Sequence, residues 1–297
     1  MTLDQLRIFV AVAEREHLTQ AADVLALTPS AVSAAIRGLE ERYGIRLFDR
    51  VGRRIEVNAA GRIFLDEARA TLARAAGAER VLVELAGLAR GALAIQASQT
   101  IASYWLPPLL VRFRETHPQI EVRLDVGNTQ SVADAVREGQ ADLGLVEGAV
   151  DDAALVAQVI GQDRMAIVVA PGHPWTRKRK LGATDLQSAR WIMREPGSGT
   201  RSALEEILVG EGVDLAALEV ALTLPSNEAV RAAVMRGQHV AGLSELVAAP
   251  YIAAGLLARV RVNPPPRDFF LLRHRERYRS RPAQAFEQML GVGGTNS

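Results

Sequence analysis

Ser30, Ser33 and Arg37 carry hydroxyl and guanidinium groups able to hydrogen-bond to base edges or phosphates, and their spacing decides whether they act together. At 100° per residue these three fall on one side of a helix. Val32, Ile36 and Leu39 fall within about 60° of one another on the other side. Thr28 followed by Pro29 is a helix start signal: threonine accepts from an orphan amide, and proline at the first helical position forfeits no hydrogen bond. The spacing therefore predicts a helix over residues 29–43 with one packing face and one free face. Leu18 to Leu25 reads as a second short helix with Thr19 as its cap, separated from the first by Ala26 and Leu27. Two helices joined so tightly point to a helix-turn-helix and to DNA, although any small helical domain also exposes serines.

Charge supports DNA by placement rather than by amount. The net charge is +1, and residues 1 to 58 hold eight Arg against eight Asp plus Glu. Arg42, Arg46, Arg50, Arg53 and Arg54 nevertheless crowd the end of the helix over 29–43 and the segment just after it, where they meet phosphates or form a solvated basic loop. Within it, residues 47–57 alternate as a short hairpin with Gly52 in its turn, a wing with Arg53 and Arg54 at the tip. Leu3, Leu6, Phe9, Val10 and Ala13 repeat at helical spacing, so a first helix packs beneath the other two.

A second chemistry lies in two strand-loop-helix units. Ser98-Gln99-Thr100 follows one strand and Arg194-Glu195-Pro196-Gly197-Ser198-Gly199-Thr200-Arg201 follows another. Each brings hydroxyls and amides to a helix N-terminus, which suits an anion or carboxylate, or serves as an ordinary helix cap. Catalytic sets are missing: the histidines at 17, 117, 173, 239 and 274 have no metal-ligand spacing, and the chain has no cysteine. GSGT around Ser198 is not the GxSxG elbow, and Thr200-Arg201 replaces the lysine of a phosphate loop. No enzyme is expected, and His173, before Pro174, reads as structural. The basic run Arg177 to Lys180 is either a solvated turn or a second DNA or partner contact.

The elements that must position these residues follow from pattern. From Asn58 to Leu88 there is no proline, and Phe64, Ala68, Leu72, Ala75, Leu82 and Leu85 form an apolar stripe. That helix hides its stripe against a second copy or lies across its own C-terminal domain. Gly87 and Gly91 bracket a hinge. Beyond it strands and helices alternate as α/β chain, with strands at 92–97, 121–126, 142–147, 165–170, 191–193, 219–224, 239–242 and 269–273. Helices fall between them at 107–115, 132–138, 201–208 and 228–235. No run of about 18 apolar residues exists to span a membrane, and Asp4 and Arg7 stand where a secretory signal needs an apolar core, so a cytoplasmic chain of about two domains is expected.

LRIFVAVAE, LTQAADVL, TPSAVSAAIRGLEERYGIRLFDR, PGHPW at residues 171–175 and PGSGTR at residues 196–201 together resemble the LysR-type transcriptional regulators over essentially the whole chain. The resemblance implies an N-terminal winged helix-turn-helix (1–58), a long linker or dimerisation helix with hinge (59–90), and an α/β effector domain like a periplasmic binding protein (91–297). Its subdomain I would hold 92–162 with 267–297, and subdomain II would hold 163–266. It places Thr28, Pro29, Ser30, Ser33 and Arg37 at groove-facing positions and Arg53 and Arg54 on the wing. Ala34 stands where the family often has a polar or basic residue. Ser98 and Thr100 match one effector-contact loop and Gly197, Ser198, Thr200 and Arg201 the other, with Thr129, Glu147 and Asn227 at loop positions that line the same cleft. The implied partners are an inverted-repeat site on double-stranded DNA, a second copy in a dimer or tetramer, and RNA polymerase if the protein activates. The implied ligand is a small-molecule co-inducer, an inorganic anion or a carboxylate, with no other cofactor. The competing reading is a cytoplasmic small-molecule binding protein or enzyme with an appended helical domain.

Overall fold

The computed structural model describes residues 1–51, 54–85, 91–178, 180–262 and 264–292. They form two compact units, divided at residues 86 and 87 apart from a short stretch at 138–140. Gly52, Arg53, the hinge glycine Gly87 and the end of the expected linker helix at Leu88 lie outside the described residues.

The first unit is built from α1 (Leu3–Arg15), α2 (Leu18–Leu25), α3 (Pro29–Tyr43), the hairpin β1 (Phe48–Val51) and β2 (Arg54–Val57), and α4 (Ala59–Leu85). Thr2 and Gln5 form a reciprocal capping box on α1. Thr28 caps α3 by accepting from the Ala31 amide at 3.2 Å, with Pro29 in the first turn and Gly44 (φ +63°) ending the helix. The cap of α2 is not Thr19: His17 is the N-cap, and its Nδ1 accepts from the Gln20 amide at 3.3 Å. Sequence alone ranks threonine above histidine as a cap, but the helix begins at Leu18, so His17 holds the capping place and Thr19 lies in the first turn.

Phe9, Val12, Ala21, Ala22, Val32, Ile36 and Leu39 fill the core of this unit, closed by Leu47, Phe48 and Val57 from the hairpin. Leu3, expected on the packing face, is exposed. The stripe on α4 divides: Ala68 is buried and Phe64 and Leu72 pack on the same core, whereas Leu82 is 68% exposed. The start of the stripe is consumed within the chain's own head, and Leu82 is left uncovered.

In the second unit one mixed sheet runs in the order β4 (Glu121–Gly127), β3 (Ala92–Ser98), β5 (Leu143–Glu147), β11 (Pro266–His274), β6 (Leu155–Val169), β9 (Val240–Ser244), β7 (Arg190–Arg194), β8 (Glu219–Leu224). Helices α5 (Pro107–Thr116), α6 (Thr129–Glu138), α8 (Gly199–Gly210), α9 (Asn227–Val234), α10 (Glu245–Ala253) and α11 (Arg281–Met289) cover it, with the short α7 (Ala183–Gln187) before β7. β3, β4 and β5 run parallel, as do β7, β8 and β9, the βαβ arrangement that alternation predicts. Two antiparallel strands join these trios. β6 is 15 residues long and pairs β11 and β9, and the two-residue β10 (Ala258–Arg259) pairs its end antiparallel. The sequence pattern predicts only its apolar end, at 165–170, and residues 155–164 carry Gln158, Gly161, Gln162, Asp163 and Arg164. That stretch is strand because β11 pairs along it from Pro266 to His274. Separate cores serve the two halves, one around Leu93, Ile95, Phe113, Phe269 and Phe286 and the other around Ile167, Val169, Trp191, Leu204 and Leu208. Among the described residues no helix is long and apolar enough to cross a membrane.

Candidate functional site

On the first unit Thr28, Pro29, Ser30 and Arg37 are exposed and Ser33 is half-exposed, while Val32, Ile36 and Leu39 are buried. The two faces of α3 are thus the ones its spacing predicts. The Thr28 hydroxyl also lies 3.0 Å from that of Ser30, so both gather at the start of the helix. Ala34 is exposed on the same helix, as is Arg42 in its last turn, and Arg46 and Arg50 are exposed beyond it. Arg54 stands at the first position of β2, whereas Arg53 is outside the described residues. Sequence reasoning passed over Glu40. Its buried carboxylate accepts from the amides of Leu47 (2.8 Å) and Phe48 (3.3 Å), fastening the hairpin to the end of α3.

The second unit gathers its polar chemistry at the carboxyl ends of the two parallel trios, the place where open α/β sheets hold ligands. Thr100, after β3, and Thr200, in the first turn of α8, have hydroxyl oxygens 3.5 Å apart, and both residues are buried. Asn227 donates from Nδ2 to Thr100 Oγ1 at 2.9 Å. Ser98 is buried too, and its hydroxyl has no hydrogen-bond partner. Ser198 is the N-cap residue of α8, yet its side chain makes no capping bond, so the plain-cap alternative fails there. The loop before it is a turn in which the Ser198 amide bonds to the Glu195 carbonyl at 3.2 Å, with Pro196 and then Gly197 at φ +84°. Proline followed by a positive-φ glycine is what a type II turn demands. Gly199 must also lack a side chain: a Cβ there would sit 2.5 Å from the Glu147 carbonyl oxygen and 2.6 Å from Thr129 Oγ1.

Other expected site residues are brought near but spend their polar groups internally. Thr129 donates its hydroxyl to the Glu147 carbonyl at 3.1 Å. The Glu147 side chain is buried with an oxygen 3.9 Å from Arg267, which itself grips Asp163 at 2.7 Å. Arg201 turns to Glu205 (2.7 Å) and to the Arg194 carbonyl (3.3 Å). Its guanidinium is already engaged. The first loop is as expected: Ser98 ends β3, and Gln99 and Thr100 open a helical run that passes through a π-helical turn, Ile101–Trp105, and Leu106 into α5.

Sequence reasoning missed the charged frame around these hydroxyls. Arg194, 4% exposed, points Nε and Nη2 at Glu195 (2.8 and 2.9 Å) and Nη1 at the side-chain oxygens of Gln99 and Asn227 (both 2.9 Å). The Asn227 amide donates to Gln99 Oε1 at 2.7 Å, and Asn128 Nδ2 donates to Glu195 at 3.3 Å. Tyr104 donates to Glu228 at 2.7 Å, and Gln99 bonds to the same carboxylate. Burial and the adjoining Glu228 push the Tyr104 phenol up to about 12. Burial alone would raise Glu195 and Glu228, but the Arg194 fork on one and the Tyr104 hydroxyl on the other outweigh it and hold both below the ordinary carboxylate range. The signal was present: Gln99, Arg194 and Glu195 lie inside the two loops singled out. Nothing local, however, says that a buried arginine will choose its neighbour as partner.

Residues 3–62 match the family model described as bacterial regulatory helix-turn-helix protein, lysR family, and residues 86–292 match that of the LysR substrate binding domain. The chain belongs to the LysR family of DNA-binding transcriptional regulators. Among LysR relatives, the HTH-type transcriptional regulator YeiE of Escherichia coli (strain K12) is 36% identical over 288 residues, 96% of each chain. Full-length CbnR complexed with its target DNA superposes with a TM-score of 0.70 at 20% identity, covering 99% of this chain and 100% of that one, a likeness of fold. The regulatory domain of CcmR from Synechocystis PCC6803, solved with 2-PG, covers 68% of this chain and 97% of its own at 27% identity and a TM-score of 0.61. LysR regulators carry a DNA-reading head and a small-molecule domain in one chain, and the two units described above occupy those places.

Proposed function

We propose that this regulator reads an inverted-repeat promoter site as a dimer or a dimer of dimers, and that a small anionic effector seated at the seam of its second unit sets its activity. Thr28, Pro29, Ser30, Ser33 and Arg37 touch the major groove, and Arg53 and Arg54 touch phosphates or the minor groove through contacts that weaken with salt. Ser98, Thr100, Gly197, Ser198, Thr200 and Asn227 surround the effector, with Thr129, Glu147 and Arg201 as supports. Residues 92–162 with 267–297 act as one subdomain and 163–266 as the other, and ligand between them biases their closure. The protein works in the cytoplasm without catalysis, and as an activator it would engage RNA polymerase.

The observation that carries this reading is the meeting of both hydroxyl loops, Thr100 against Thr200 at 3.5 Å with Asn227 bonded to the first, in a chain whose head exposes hydroxyls and Arg37 on one helix face. An electrophoretic shift with DNA upstream of the protein's own gene tests the first half. Sequence-selective retardation by the intact protein that is lost in Arg37→Ala is the expected result. Absence of any selective shift, with or without small anions and carboxylates, would defeat it. For the second half, Thr100→Ala and Thr200→Ala should weaken effector binding while leaving DNA affinity of the free protein nearly unchanged.

A further inference from the structure

Glu195 is held as a bound carboxylate would be. Arg194 presents its planar fork to both carboxylate oxygens, at 2.8 and 2.9 Å, and Asn128 from the other half of the sheet adds a donor at 3.3 Å. The arginine itself is fixed from behind, because its remaining donor group is spent on Gln99 and Asn227, two residues that also surround the buried hydroxyls. Its side chain is 3% exposed, whereas that of Glu195 is 25% exposed. The cation is therefore enclosed and held on every side, and the anion on it is the wetter member. Glu195 also opens the Pro196-Gly197 turn, so rotation of its side chain requires no movement of α8.

We infer that Glu195 is an internal stand-in for the effector, and that the effector is a carboxylate which displaces it from Arg194. This rests on the proposal that ligand binds at this seam, and it adds the class of ligand and a residue that sets the affinity. Displacement exchanges one bidentate pair for another, so an external carboxylate gains little from the charge itself and must win through its contacts with the hydroxyl loops. Glu195 thereby acts as a filter, excluding weak carboxylates that lack those contacts.

The test uses the full chain, with binding of sodium acetate, sodium lactate and sodium sulfate measured by calorimetry and thermal shift at constant ionic strength. Glu195→Gln should bind acetate roughly tenfold tighter than the unsubstituted protein, the size of one charge-assisted hydrogen bond. Arg194→Lys keeps the charge but not the fork. In that background Glu195→Gln should change acetate affinity by less than about twofold. An equal gain in both backgrounds would reveal a general charge effect and overturn the inference, as would no gain in Glu195→Gln. A sulfate gain at least as large as that for acetate would overturn the carboxylate class. Failure of the broader reading looks different: lactate, whose hydroxyl can meet the loops as acetate cannot, would gain in Glu195→Gln but ignore Thr100→Ala and Thr200→Ala, which keeps Glu195 as stand-in and removes the hydroxyl loops from the site. Melting curves in the absence of anion identify a variant that has lost its fold. In that case Glu195→Asp, which retracts the carboxylate from the fork, takes its place and should show a gain of the same sign.

Discussion

Asn227 does more for the seam than its size suggests. Fully buried at the start of α9, it donates to Thr100, accepts from Arg194 and offers its backbone amide to Gln99. Removing one partner from a buried hydrogen-bonded set leaves the others desolvated and unmet, which costs about 1–3 kcal/mol and more when one of them is charged. Asn227→Ala should therefore lower the unfolding free energy of the second unit by about 2–3 kcal/mol in denaturant titration, by the same reasoning. Thr200→Ala removes a hydroxyl whose nearest partner is a weak 3.5 Å contact, so its cost should be under about 1 kcal/mol. If the two variants lose equal stability, the arginine-centred arrangement is not what holds the seam.

Three glycines of the first unit separate backbone freedom from close approach, and each belongs to an element's beginning, middle or end. At Gly61, in the first turn of α4, an added Cβ would lie 2.1 Å from the Leu47 carbonyl oxygen, so α4 rests against the hairpin's leading strand through a missing side chain. Gly44 ends α3 at φ +63° with open space around it, and Gly38 lies mid-helix with nothing within 4 Å. Substitution by alanine should cost about 2–3 kcal/mol at Gly61 through forced displacement, and about 1 kcal/mol at Gly44 through the left-handed backbone. At Gly38 it should add about 0.5–1 kcal/mol by improving helix propensity. Thermal melts of the head measured by circular dichroism check the order. A stabilising Gly61→Ala would mean that α4 is not seated on the hairpin.

At the scale of the molecule, stability should fall at both ends of the pH range, with a distinct group at each end. Glu195 and Glu228 have folded values below their unfolded ones, so their contribution is complete above the ordinary glutamate value of about 4.3 and fades as pH falls through the lower folded values. His173, buried and holding the Trp175 amide, is shifted down by burial and acts with the same sign from about 6.5 downward. Tyr104 has the opposite sign. Raised to about 12, it contributes fully below the ordinary tyrosine value of about 10 and is lost as pH climbs toward 12. Tyr104→Phe should flatten the melting-temperature decline between about pH 10 and 12, and Glu228→Gln should make the acid limb shallower, effects which arise from the shifted values alone. An unchanged alkaline limb in Tyr104→Phe would mean that Tyr104 is not the source of that loss.

Sequence by itself determined what depends on neighbours in the chain. The Thr28-Pro29 start, the two faces of α3, the strand-helix alternation and the two hydroxyl loops are all set by local spacing and propensity, and each is present where spacing put it. Tertiary structure alone decided what depends on residues far apart in the chain. The polar half of β6 is strand because β11 pairs with it from 100 or so positions away. The start of the α4 stripe is spent on the chain's own head because α1 presents Phe9 to Phe64. Arg194 closes on Glu195, Gln99 and Asn227 because burial forbids an unpaired guanidinium, and the partners it finds are those that the sheet brings to its side. Propensity and periodicity are short-range quantities. Pairing register and the neutralisation of a buried charge are settled only when distant segments meet.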